Sequence, residues 1–155
     1  MPIRILISND DGINSEGLHK LHHKLKDLGE VYVVAPDRDQ SAVSHSLTLY
    51  RPLRLETVAE NVYTVDGTPT DCINLAVNGL LKDKKPDLLV SGINKGENLG
   101  DDITYSGTVS AAMEGTLLGI PSIASSLVGR KDFNFDVASE YTKIVAKYVL
   151  KNSLP

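Results

Sequence analysis

Ile5-Leu6-Ile7-Ser8-Asn9-Asp10-Asp11-Gly12 begins as an unbroken apolar run and stops at one amide, two adjacent carboxylates and a glycine. A strand with one face in water alternates apolar and polar residues. An unbroken run is the pattern of a strand buried on both faces, as in a parallel sheet. The same pattern returns at Val31-Tyr32-Val33-Val34-Ala35, which ends at Pro36-Asp37, and at Asp87-Leu88-Leu89-Val90-Ser91, with a further strand expected at residues 120–125. Between the first two runs, Leu18, Leu21, Leu25 and Leu28 recur at helical spacing, and Gly29 closes the segment as a C-terminal cap. Strand, helix and strand in that order predict a βαβ unit with a right-handed crossover.

Later helices follow the same logic. Thr70 is placed as the cap of a helix striped by Ile73, Ala76, Val77, Leu80 and Leu81. A third helix carries Val109, Ala112, Met113 and Leu117 on one face. A fourth, capped by Asp136, carries Val137, Tyr141, Ile144, Val145, Tyr148 and Val149. In residues 46–65 the period changes: Leu47-Thr48-Leu49-Tyr50, Leu53-Arg54-Leu55 and Val62-Tyr63-Thr64-Val65 alternate, with breaks at Pro52 and Asn61, so short antiparallel strands are expected at a sheet edge. Residues 92–107 read as a long glycine-rich loop, a length usually reserved for function. The expectation is an α/β fold, Rossmann-like and doubly wound, with a mostly parallel sheet and a small antiparallel edge.

The chain has 155 residues, 41% hydrophobic and 23% charged, so residues 1–155 are expected to form a single domain. Its apolar runs are strand-length, not the roughly 20 residues of a membrane span, and Met1-Pro2-Ile3-Arg4 leads directly into a strand, so a cytoplasmic protein without membrane partners is expected. The single cysteine, Cys72, allows no internal disulfide and reads as a small buried apolar residue. A net charge of -4, without clustered lysines, arginines and aromatics, argues against a broad nucleic-acid surface.

Ligands of doubly wound folds lie beyond the carboxyl ends of the strands. Asn9, Asp10 and Asp11 follow the first strand, Asp37, Arg38, Asp39, Gln40 and Ser41 the second, and Asn94 the strand at residues 87–91. Two neighbouring aspartates can share a ligand only where the chain turns, which Gly12 permits. A divalent cation such as magnesium or manganese suits two carboxylates completed by a serine hydroxyl and an asparagine carbonyl. The plainer alternative is a turn followed by a helix cap. Ser106-Gly107-Thr108 opens the third helix, where free amides at the positive end of the dipole could hold a phosphate, beyond ordinary capping. No G-x-x-x-x-G-K-S/T loop and no G-x-G-x-x-G fingerprint is present, which argues against an ordinary NTPase or dehydrogenase. His19, His22 and His23 read as a solvated helix face, and His45 either orients the site or packs beside it.

Taken in order, Asn9-Asp10-Asp11-Gly12, Ala35-Pro36-Asp37-Arg38-Asp39-Gln40-Ser41-Ala42, Ser44-His45-Ser46, Gly67-Thr68-Pro69-Thr70-Asp71-Cys72, Val90-Ser91-Gly92-Ile93-Asn94-Lys95-Gly96 and Ser106-Gly107-Thr108-Val109-Ser110 resemble the signature blocks of the SurE family of metal-dependent nucleotidases. The resemblance covers almost the whole chain. It implies ligation of one magnesium or manganese per subunit by Asp10, Asp11, Ser41 and Asn94, phosphate binding by Asn94, Ser106, Gly107 and Thr108, and catalysis at Asp10 with Asn9. The implied reaction is hydrolysis of nucleoside 5'- and 3'-monophosphates, extending to short polyphosphate. Whether water attacks directly or Asp10 serves as base or nucleophile stays open. So does a non-catalytic alternative, a module that binds nucleotide or phosphate. The family continues past Leu154-Pro155 with further strands and an arm used in oligomerisation, and its full-length members imply a homodimer or homotetramer.

Overall fold

The computed structural model describes residues 2–129 and 131–152. Six strands form one sheet in the order β3-β4-β2-β1-β5-β6, from β1 (Arg4–Ser8), β2 (Glu30–Pro36), β3 (Leu55–Ala59), β4 (Val62–Val65), β5 (Leu88–Lys95) and β6 (Ser122–Leu127). All pairings are parallel except β3 with β4. Four helices cover the sheet: α1 (Glu16–Leu25), α2 (Pro69–Leu75, continued by a π-helical turn at Ala76–Leu80), α3 (Gly107–Leu117) and α4 (Phe135–Asn152).

Alternation along the buried strands explains the two layers, because successive side chains leave opposite faces of a sheet. Ile5 and Ile7 of β1, with Val31 and Val33 of β2, pack against Leu18, Leu21 and Leu25 of α1 and Ala146 and Val149 of α4. Leu6 and Val34 point the other way, into a cluster with Cys72, Ile73 and Ala76 of α2 and Ala111 of α3. The unbroken apolar runs are therefore two half-cores read through one strand. Cys72 is fully buried, as expected, and burial raises its thiol pKa well above the ordinary value.

Several elements differ from expectation for identifiable reasons. Helix α1 stops at Leu25, and Leu28 lies in the turn that follows. The cap of α2 is Thr68, not Thr70: its hydroxyl accepts from the Asp71 amide while the Asp71 carboxylate accepts from the Thr68 amide, with Pro69 at the first helical position. Residues 46–54 form no strand. There the Asp71 carboxylate takes both the amide and the hydroxyl of Thr48, and Thr68 donates to the Ser46 carbonyl. Only β3 and β4 remain of the expected antiparallel edge. In α3 the buried face is made of small residues, including Gly107, Thr108, Ala111 and Gly115, whereas Met113 and Leu117 are exposed. A Cβ on Gly115 would stand 2.5 Å from Ser122 Oγ, so only glycine lets the helix sit this close to the sheet. Likewise α4 buries Phe135, Ser139, Thr142, Ala146 and Val149, and leaves Val137, Tyr141, Ile144, Val145 and Tyr148 facing outward. Both helices are apolar on more than one side, so period alone misplaces the buried face. Among the described residues no helix is long and apolar enough to cross a membrane.

Candidate active site

Strand order reverses between β1 and β5: β1 leads through α1 to β2 on one side, and β4 leads through α2 to β5 on the other. That crevice is the switch point where such sheets bind ligands. Asp10 and Asp11 lie beyond the carboxyl end of β1, and Asn94 lies near the end of β5. The strand runs on to Lys95, three residues past Gly92, where a loop was expected to begin. Its register against β6 shifts between Ser91 and Asn94, an irregularity of the kind that re-aims a side chain.

Three neighbouring segments are tied to the Asp10-Asp11 pair. From the loop after β2, the Gln40 amide donates to the Asp10 carbonyl at 2.8 Å. From α3, the Thr108 hydroxyl donates to Asp10 Oδ1 at 2.5 Å, and the Thr108 backbone also hydrogen-bonds this carboxylate. From β5, the Lys95 amide donates to Asp11 Oδ2 at 3.2 Å. Gly12, at φ +94°, turns the chain here, and a Cβ on it would meet the Arg38 backbone at 3.0 Å. Asn9 is fully buried, and its amide donates to the Gly12 carbonyl at 3.0 Å and to Ser15 Oγ at 2.6 Å. It clamps the turn that presents the carboxylates.

The result is a cleft of about 250 Å³ whose lining includes Asp10, Asp11, Ser41, Asn94, Lys95 and Ser106. All four residues expected to hold a metal thus meet in one place. Of the expected phosphate turn, Ser106 lines the cleft, and its hydroxyl caps α3 by accepting from the Val109 amide at 3.1 Å. Gly107 packs against Asp10, where a Cβ would come within 2.7 Å of Asp10 Cβ. Thr108 is buried and gives its hydroxyl to Asp10, so it supports the carboxylate and does not line the cleft. Asn98, Asp102 and Tyr105 also line the cleft without having been singled out. Their only sequence signal is membership of the stretch between β5 and α3.

Electrostatics mark the pair as short of positive charge. Burial raises the pKa of Asp10, against the lowering effect of Thr108. Burial, with the neighbouring Asp10 charge second, raises Asp11 from 3.8 to about 6. A cation between them would reverse both effects. Asp39 adds a third negative charge nearby and holds Ser41, accepting from its amide at 2.7 Å and its hydroxyl at 2.5 Å. Asn94 donates its amide nitrogen to the Gly96 carbonyl at 3.0 Å, which leaves Oδ1 as the atom offered to a ligand. Among the described residues, no three His, Cys, Asp or Glu side chains converge as a metal-binding group. The donors here are two carboxylates, a hydroxyl and a carboxamide, a hard-oxygen set of the sort magnesium or manganese accepts while keeping waters. The residues present fit such an ion.

His45 Nε2 hydrogen-bonds Glu114 Oε2 at 2.7 Å, and Glu114 also accepts from Asn74. This pair joins the loop bearing Ser41 to α3. His19 and His23 are exposed, as expected of a solvated face. His22 is half-buried, and burial lowers its pKa to about 4.

Comparison with known proteins gives a consistent result. The family model described as survival protein SurE matches residues 5–155. The 5'-nucleotidase SurE of Myxococcus xanthus is 56% identical over 154 residues, covering 99% of this chain and 59% of the relative. That of Geotalea uraniireducens is also 56% identical, covering 99% and 62%. The crystal structure of the SurE protein from Aquifex aeolicus superposes with a TM-score of 0.95 at 52% identity, covering 98% of this chain and 62% of that one. The chain therefore spans about three fifths of the length of these relatives.

Proposed function

Because the chain belongs to the SurE family, we propose that it carries the cation and phosphate half of a metal-dependent phosphomonoesterase acting on nucleoside 5'- and 3'-monophosphates and on short polyphosphate. The observation that supports this most is the convergence of three chain segments, the loop after β2, β5 and α3, on the Asp10-Asp11 dipeptide, whose pKa values are both raised by burial. The relatives are 5'-nucleotidases by name, which supports nucleotides as the substrate class.

Asp10, Asp11, Ser41 and Asn94 would hold one magnesium or manganese ion per chain. When bound, such an ion polarises a phosphoryl oxygen and offsets the charge that develops on it. The protein's own part is positional. Asn9 fixes the turn, and Thr108 holds Asp10 in one orientation. Ser106 and Asn94 supply polar contacts at the rim, and the start of α3 adds its positive dipole end to a phosphate in the cleft. The outward apolar face of α4 (Val137, Tyr141, Ile144 and Tyr148) supports association into a dimer or tetramer. Sedimentation velocity checks that association: a monomer at micromolar concentration counts against it.

The test of the activity is phosphate release from a nucleoside monophosphate by this 155-residue chain, with manganese and again with a chelator. Release that needs the metal supports a hydrolase. Nucleotide binding without release supports a binding module and overturns the hydrolytic reading for this chain.

A further inference from the structure

The cleft at the carboxylates, roughly 250 Å³, is smaller than the 300–1,000 Å³ of pockets that enclose a small molecule, so a nucleotide whose phosphate lies at Asp10 and Asp11 extends past its rim. A second cavity, about 450 Å³, opens on the other side of the turn at residues 37–41: Ser41 lines the cleft, and Arg38 lines the larger cavity. Three residues of chain span at most about 11 Å, so the Cα atoms of Arg38 and Ser41 stand no farther apart than that. Both openings lie beyond the carboxyl ends of parallel strands, the cleft at β1 and β5 and the cavity at β2 and β4, where Asp37 and Asp66 follow directly.

The wall of the second cavity is organised by Asp66. Its carboxylate accepts from Arg51 Nη1 at 2.9 Å and from the Arg54 amide at 2.8 Å, and its carbonyl accepts from Arg51 Nη2. Arg51 is therefore engaged. Arg54 meets Glu56 only at 3.8 Å, and Arg38 meets Asp37 only at 3.8 Å, both beyond hydrogen-bond range. These two guanidiniums keep their planar faces and N–H donors, and the two carboxylates keep their acceptors. Three arginines and three carboxylates line the cavity, so its formal charge cancels. A second phosphate gains little in such a place. A neutral, planar, polar group with both donors and acceptors gains more: guanidinium planes stack on bases, and carboxylates accept from ribose hydroxyls.

We infer that the cavity bounded by Arg38, Arg54 and Glu56 takes the nucleoside half of a nucleoside monophosphate whose phosphate lies at Asp10 and Asp11, an inference that rests on the function proposed above. Arg54 and Glu56 are exposed, so their replacement leaves the core intact. The experiment is calorimetric titration, with manganese present, of the 155-residue chain and of Arg54→Gln and Glu56→Gln with a nucleoside monophosphate and, separately, with inorganic phosphate. Losing a hydrogen bond to a charged group weakens nucleotide binding about tenfold, with phosphate affinity unchanged. Nucleotide affinity unchanged in both variants overturns the inference, as does an equal loss for both ligands. So does a nucleotide-specific loss in Tyr105→Ala alone, which would place the nucleoside on the opposite rim. If wild type binds phosphate but binds nucleotide no more tightly, only the nucleoside site fails. If wild type binds neither, the phosphate site fails and the nucleoside site falls with it.

Discussion

Replacing Asp11 with asparagine should stabilise the metal-free protein at neutral pH. In the unfolded chain Asp11 loses its proton near 3.8, and in the folded protein near 6, because burial and the Asp10 charge disfavour ionisation. Between those values the folded state binds more protons, so stability falls as pH rises from about 4 to about 6 and stays reduced above that. A shift of about 2 pKa units corresponds to roughly 3 kcal/mol. The carboxylate is partly exposed, and solvent screening reduces the figure to about 1–2 kcal/mol. Asparagine cannot ionise, yet its Oδ1 can still accept from the Lys95 amide. For a domain of this size the gain corresponds to a melting temperature about 2–8 °C higher. Circular-dichroism melts in chelator at pH 7.5 and pH 4 provide the assay. The variant should melt higher at pH 7.5 and level with wild type at pH 4. An unchanged or lower midpoint at pH 7.5, or a gain that persists at pH 4, would refute the reasoning. Adding manganese should raise the wild-type midpoint and leave that of the variant where it was.

Other substitutions probe the supports of the same site. Gly107→Ala puts a Cβ 2.7 Å from Asp10 Cβ and 3.2 Å from Pro69 Cγ, so overpacking of about 1–3 kcal/mol should lower thermal stability, and displacement of Asp10 should weaken manganese binding in calorimetry. His45→Ala removes one partner of the buried Glu114 carboxylate and should cost about 1–3 kcal/mol in chemical denaturation, with a smaller loss in the double variant His45→Ala, Glu114→Gln than the two single losses added together. The His22 pKa is lowered to about 4, so the folded protein resists a proton that the unfolded chain accepts below 6.5. Stability should therefore fall as pH drops from about 6.5 to 4, and His22→Gln should flatten that limb in melts across the range.

What the sequence revealed, and what it concealed, follows from which interactions are local. Ile5-Leu6-Ile7 and Leu88-Leu89-Val90 are legible because burial on both faces leaves no polar residue in the run, and the polar residues just after them mark the crevice directly. Asn94 was found for the same reason, although β5 extends further than its composition suggests. Helix faces were legible only where one side is polar. In α1 the leucines point inward as expected, whereas in α3 and α4 the close approach of glycine, alanine and serine to the sheet turns the larger apolar residues outward. The Thr68 capping box is local to Thr68-Pro69-Thr70-Asp71, two residues ahead of the cap expected at Thr70. The commitment of Thr108 to Asp10, 98 positions away, and of Asp71 to Thr48 has no local signal at all.

The most direct test of the candidate site is the stoichiometry of manganese binding, followed by electron paramagnetic resonance as the free-ion signal disappears. Wild type should bind one ion per chain, and Asp10→Asn, which keeps β1 and its fully buried Ile5, Leu6 and Ile7, should bind none while retaining its circular-dichroism spectrum. An equal stoichiometry and affinity in the folded variant would contradict the assignment of Asp10 as a ligand, and with it the site on which the proposed function depends.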